Sequence, residues 1–161
     1  MAEIRAAVVT VSDSVSAGQN EDASGPRVAE LLARRGFAVV ERTTVPDGVD
    51  SVSTELKRLS GSVALIMTTG GTGLAERDVT PEATLEVIDR EVPGLAEAMR
   101  SATFGRIPHG MLSRGVAGIR GSCLIVNLPG SPQAVDEGLQ VIGPALLHAV
   151  EVASGEFGDH R

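Results

Sequence analysis

Apolar positions along the chain follow two rhythms. Short runs of small and β-branched residues occupy positions 6–11 (AAVVTV), 37–45 (FAVVERTTV), 63–68 (VALIMT) and 123–128 (CLIVNL), and each predicts a strand. Between them the spacing lengthens to that of a helix. In SGPRVAELLARRG, Val28, Leu31 and Leu32 share one face, Ser24 and Pro26 mark the start, and Gly36 stands at the C-terminal cap position. A second helix carries Val52, Leu56 and Leu59, opening near Asp50 and stopped by Gly61. Thr80, Pro81 and Glu82 open a third, which the pattern extends through EATLEVIDRE, and Pro93 restarts the chain into GLAEAMRSA. Ser131 and Pro132 open a long final helix in which Gly143 and Pro144 predict a kink. Continuously apolar strands alternating with helices predict a mostly parallel central sheet covered on both faces. That is a three-layer α/β/α sandwich, built as one domain over residues 1–161.

Such a fold assigns a place to the polar loops. Ligands of open parallel sheets bind beyond the carboxyl ends of the strands. Here the four strands run into SDSVSAG, VPDG, TGGTGLAERD and NLPGSP, so the four loops are expected to meet on one rim. Each alone reads equally as an ordinary turn, since Gly, Pro, Asp and Ser are the common turn residues. GGTG is neither a P-loop nor a dinucleotide fingerprint, because no Gly-Lys-Ser/Thr follows and the third glycine is missing.

Gly70, Gly71 and Gly73 allow close backbone approach, and their N–H groups suit phosphate oxygens. Asp78 in the same loop argues against a bare phosphate. A carboxylate about 4 Å from a phosphate is repelled by about 4 kcal/mol at an effective dielectric of about 20. With Asp47 of VPDG as a second carboxylate, a bridging Mg²⁺ resolves the conflict. The competing reading makes Asp78 a local cap and Asp47 a plain turn residue. Residues 104–121 fit neither helix nor strand and carry Arg106, Arg114 and Arg120, the composition of a basic lid over a polyanion or of a solvated loop. His109, His148 and His160 have no metal-ligand spacing, and no G-x-S-x-G nucleophile elbow occurs.

Composition removes other classes. The formal net charge of -7 disfavours nucleic acid and anionic membrane, and three Phe (Phe37, Phe104, Phe157) with no Trp or Tyr leave no stacking platform for single strands. The lone Cys123 reads as a core residue in a reducing compartment. No leader pattern or membrane-spanning run is present, which leads to the expectation of a soluble, cytoplasmic protein.

TVSDSVSAG, VPDG, TTGGTGLAERDVTPEAT, PGLAEAMR, LSRGVAGIRG and NLPGSP, in that order, resemble the MogA/MoaB group of molybdenum cofactor biosynthesis proteins, related to the gephyrin G domain. The likeness runs from about Val8 to Ala153. It implies a molybdopterin-binding fold, a homotrimer, and Mg²⁺-dependent transfer of AMP from ATP to molybdopterin with release of pyrophosphate. It implies catalytic and metal-binding roles for Asp47 and Asp78, and nucleotide binding by Thr69, Gly70, Gly71, Thr72 and Gly73. The substrate pocket would draw on Ser12, Asp13, Ser113, Arg114, Asn127, Pro129, Gly130 and Ser131. Other cofactor-synthesis proteins are implied as partners. The alternative within the group is a non-catalytic molybdopterin carrier or assembly partner of the MoaB type. A scaffold of the gephyrin kind ranks below both, since the chain has no room for another domain. Apolar residues on several faces of the final helix (Val141, Ile142, Leu146, Leu147, Val150) agree with assembly, or with a helix that covers its own core.

Overall fold

The computed structural model describes residues 3–155; the expectations that touched Phe157, His160 and both chain ends lie outside the described residues. In chain order it comprises β1 (Ile4–Val11), α1 (Asp13–Ser16), α2 (Ser24–Arg34), β2 (Phe37–Val45), α3 (Val49–Ser60), β3 (Leu65–Thr69), α4 (Thr80–Val87) and β4 (Arg90–Glu91). Then come α5 (Pro93–Ser101), a 3₁₀ turn (Pro108–Leu112), β5 (Ala117–Arg120), β6 (Cys123–Leu128) and α6 (Pro132–Ser154).

The sheet order is β2-β1-β3-β6-β5-β4. β2, β1, β3 and β6 are mutually parallel, while β5 runs antiparallel to β6 and β4 antiparallel to β5. Strand side chains alternate between two cores, as the pleat demands. Ala6, Val8, Leu65, Met67, Leu124 and Val126 face α2 and α6, packing against Val28, Leu32, Leu139 and Leu146. Ala7, Val9, Ile66, Cys123 and Ile125 face α3 and α4, packing against Val52, Leu56, Leu59 and Ala83. The three-layer sandwich is thus the observed architecture. Burial pushes the Cys123 thiol up to about 12, which leaves it an inert core residue.

Three local expectations are corrected. Residues 104–121 contain the 3₁₀ turn and β5, because the Ala117–Arg120 backbone completes a ladder with β6 that no local periodicity announces. α4 stops at Val87 instead of continuing through Glu91: the Asp89 N–H donates to Ile119 O (2.7 Å), drawing the chain into β4. Gly143 and Pro144 lie inside α6, which continues past them to Ser154. Arg35 lies across Gly143 and donates to Leu139 O (2.9 Å). The loop after β1 contains α1, capped by Ser12, whose Oγ accepts from Val15 N (3.3 Å).

Candidate functional site

The carboxyl ends of the four parallel strands do meet. Ser12 N donates to Val45 O (3.0 Å), joining the ends of β1 and β2, and Gly70 N donates to Leu128 O (3.1 Å), joining those of β3 and β6. Thr69 is fully buried beneath this junction and donates through Oγ1 to Pro129 O (2.6 Å). Two cavities open on the rim, of about 1050 Å³ and about 470 Å³. Gly70 and Gly130 line both, and a methyl group on Gly130 would stand 3.3 Å from Gly70 Cα. The two glycines therefore stand at the border that the cavities share.

The loop after β3 has a specific polarity. Gly70 and Gly71 adopt φ of 99° and 72°, a region closed to most side chains. The loop carbonyls all have donors: Thr80 Oγ1 to Gly70 O (3.0 Å), Thr80 N to Gly71 O (3.1 Å), Arg114 N to Thr72 O (2.8 Å) and Arg114 Nε to Gly73 O (2.9 Å). A planar trans peptide carries its C=O and the next N–H on opposite edges. Holding the four carbonyls back therefore turns the N–H groups of Gly71, Thr72, Gly73 and Leu74 the other way. Those four N–H groups make no hydrogen bond among the described residues. Consecutive free amides of this kind can form an anion-binding concavity.

Two carboxylates flank it. A methyl on Gly71 would lie 3.3 Å from Asp47 Oδ1, and one on Gly73 would lie 2.8 Å from Asp78 Oδ2. Asp78 Oδ2 accepts from Ala75 N (3.1 Å), the turn bond expected of a local role. Asp47 and Asp13 exchange bonds: Asp13 N donates to Asp47 Oδ2 (3.1 Å) and Asp47 N to Asp13 Oδ1 (2.9 Å). Burial pushes the Asp47 carboxyl above the usual carboxylate range; the Asp13 N–H opposes this, while the charges of Asp13 and Asp78 add to it. The second oxygens, Asp47 Oδ1 and Asp78 Oδ1, have no hydrogen-bond donor among the described residues. Under-compensated carboxylates beside an anion cradle fit a hard divalent cation, which takes one or two carboxylates together with phosphate oxygens and water.

The remaining expected residues separate by location. Gly71, Thr72, Gly73, Asp78, Ser113 and Asn127 line the larger cavity, together with Pro129 and Ser131. Ser12 and Thr69 line the smaller one, and Asp13 is exposed at the Asp47 side of the rim. Asn127 is 1% exposed and its amide is fully engaged, donating to Thr68 and Thr84 Oγ1 (3.0 Å each) and accepting from Val116 N (3.1 Å). Ser131 caps α6, its Oγ accepting from Ala134 N (3.2 Å). The three arginines do not form a common lid. Arg106 lines the larger cavity while donating to Ala102 O (3.0 Å), Arg114 grips the glycine loop, and Arg120 donates to Val87 O (2.9 Å) at the opposite end of β5.

Arg100 and Thr80 were not singled out from the sequence. Arg100 lines the larger cavity and donates to Ser113 O (3.2 Å) and Gly115 O (2.9 Å), holding the cavity wall in place. Its position in the last turn of an amphipathic helix carries no local signal of that contact. Thr80 served only as a helix-start signal, although its hydroxyl and N–H organise the glycine loop.

Comparison with known proteins agrees with this geometry. The family model described as "Probable molybdopterin binding domain" matches residues 7–148. A molybdopterin adenylyltransferase of Helicobacter pylori is 37% identical over 98% of this chain and 92% of its own length. One from Escherichia coli is 38% identical over 93% and 81%. The crystal structure of the molybdopterin biosynthesis enzyme MoaB of Thermus thermophilus superposes with a TM-score of 0.89 at 45% identity, covering 94% of this chain and 97% of that one.

Proposed function

The chain belongs to the family of molybdopterin-binding domains, and from that premise we propose that it is a molybdopterin adenylyltransferase of molybdenum cofactor biosynthesis. It joins the terminal phosphate of molybdopterin to the α-phosphorus of ATP. One P–O bond forms at that phosphorus, the bond to the β-phosphate oxygen breaks, and pyrophosphate leaves with the electron pair.

The observation that carries this reading is the row of four free amides, from Gly71 to Leu74, between Asp47 and Asp78. Both reactants are anions, so the site must neutralise charge and align them. The amides offer donors that are already oriented, which is where electrostatic stabilisation of a transferring phosphoryl group comes from. A phosphate is ionised enough to attack without a protein nucleophile, so the aspartates serve better as metal ligands than as bases. Mg²⁺ held by Asp47 and Asp78 would supply the positive charge that lets carboxylates and phosphates share the site. Two compartments that share Gly70 and Gly130 suit a reaction that brings two bound molecules to one phosphorus. At about 1050 Å³ the larger compartment has room for a bulky ligand.

The test is pyrophosphate release from ATP and Mg²⁺, with and without molybdopterin, for the wild type and Asp78→Asn. Release that depends on molybdopterin and collapses in the variant is the expected result. A folded wild type that binds molybdopterin and releases nothing would replace this reading with the carrier or assembly partner. We further propose a homotrimer working in the cytoplasm alongside other cofactor-synthesis proteins. No described helix is long and apolar enough to cross a membrane.

A further inference from the structure

We propose that Arg114 is a positioning residue for the anion cradle, acting on the reactants through the glycine loop and not by touching them. This rests on the reading that the cradle receives phosphate. The side chain is not part of either cavity wall. Its Nε donates to Gly73 O (2.9 Å), its Nη2 to Asp78 O, and its Nη1 pairs with Glu82 near the start of α4. Its own backbone N–H holds Thr72 O (2.8 Å).

Each bond has a consequence on the far edge of a peptide. The bond to Gly73 O turns the Leu74 N–H into the cradle, and the bond to Thr72 O does the same for the Gly73 N–H. The bond to Asp78 O fixes the backbone from which the Asp78 carboxylate projects. The Arg114 side chain therefore sets the Leu74 amide and the attachment of one carboxylate; its main-chain N–H, which any residue at 114 would supply, sets the Gly73 amide, and Thr80 sets the other two. Neighbouring Ser113 lines the larger cavity, and Arg100 anchors its carbonyl. One dipeptide, Ser113 and Arg114, thus ties the cavity wall to the phosphate cradle.

The chemistry demands a guanidinium. Three acceptors, at Gly73, Asp78 and Glu82, are met by separate nitrogens of one planar fork. A lysine ammonium presents its donors from one point on a flexible stem and cannot reproduce that spread. The mutual pull is visible in both partners: the bond to Glu82 holds the Arg114 proton more tightly, and the bond to Arg114 holds the Glu82 carboxyl below its usual range.

The test uses the full chain as wild type, Arg114→Ala and Arg114→Lys, with inorganic pyrophosphate plus Mg²⁺ as the calorimetric probe. Molybdopterin-dependent pyrophosphate release is measured in parallel. Arg114→Ala is expected to bind pyrophosphate about tenfold more weakly while remaining folded, and Arg114→Lys to recover only part of the loss. Added ethylguanidinium should restore binding and rate in Arg114→Ala and leave the wild type unchanged, which a general folding defect would not allow. Wild-type pyrophosphate affinity in folded Arg114→Ala overturns the assignment, as does a wild type that binds no pyrophosphate. Should Arg114→Ala not fold, Arg114→Lys carries the same comparison, and wild-type affinity there overturns it. A wild type that binds pyrophosphate but releases none with molybdopterin removes the adenylyl-transfer reading and leaves Arg114 to be judged by affinity. Release at the wild-type rate from Arg114→Ala does the reverse.

Discussion

Asp47 and Asp78 occupy similar places beside the glycine loop, yet their surroundings differ. Asp78 sits within the loop and bonds Ala75 N, whereas Asp47 reaches in from the end of β2 and is locked to Asp13. Replacing Asp78 by Asn should lower the rate of pyrophosphate release about a hundredfold, the size typical of losing one charge-stabilising group. An unchanged rate would remove Asp78 from the chemistry. Asp47 allows a test by stability. Burial raises its folded pKa, so the folded state holds the proton more tightly than the unfolded chain. Stability then falls as pH rises from the usual carboxylate value through the raised folded value, and the cost stays constant above that. Asp47→Asn removes the cost. Without metal, the variant should melt higher than the wild type at neutral pH, and the gap should close on acidification through that window. Calorimetry across a pH series would show it; a gap independent of pH would contradict it. Asp47 and Asp78 were legible as candidates in the sequence because a carboxylate amid glycines at a strand end is itself a signal. Arg114's role was not legible, because its key acceptors are main-chain carbonyls 41 and 36 residues away, which carry no side-chain signature.

The four parallel strands and the helices between them follow from local pattern, since a buried parallel strand is apolar along its length and an amphipathic helix repeats its apolar face. The edge of the sheet follows a different rule. β5 is four residues long and includes Gly118 and Arg120, so its existence depends on its ladder with β6. Gly118 marks where that edge is tight: an added methyl would lie 2.5 Å from Ile88 Cδ1 and 2.6 Å from Arg90 O. The second contact is backbone and cannot swing aside. Gly118→Ala should therefore cost about 2 kcal/mol, as overpacking does, and strain the β4–β5 pairing. Urea unfolding with an unchanged midpoint would show that the edge yields instead. Pro144 illustrates the opposite case, a local breaker overridden. Leu139, Ile142, Leu146 and Val150 of α6 are all buried in the core beneath the helix, and this packing keeps it in one piece.

At the scale of the molecule, the final helix gives most of its apolar surface to its own sheet: Ile142, Leu146 and Val150 are buried, and only part of the predicted excess remains outside. Val141 stays 39% exposed, and Phe104, Met111 and Leu112, in and before the 3₁₀ turn, are also exposed. Exposed apolar side chains of this kind suit assembly. Light scattering after size exclusion should give three times the chain mass of 16.6 kDa, and a monomer at micromolar concentration would refute the trimer. The sequence by itself determined the layers of the sandwich, the strand ends that carry the loops, and the candidate residues for a phosphate or a cation. Those features arise from neighbours in the chain, where periodicity and turn chemistry operate. Only the tertiary structure decided that Asp47 stands beside Gly71, that Gly70 and Gly130 divide the rim into two cavities, and that Thr80 and Arg114 turn the loop amides outward. Each depends on hydrogen bonds or close contacts between segments far apart in the chain, and their partners exist only once the strands have been brought side by side.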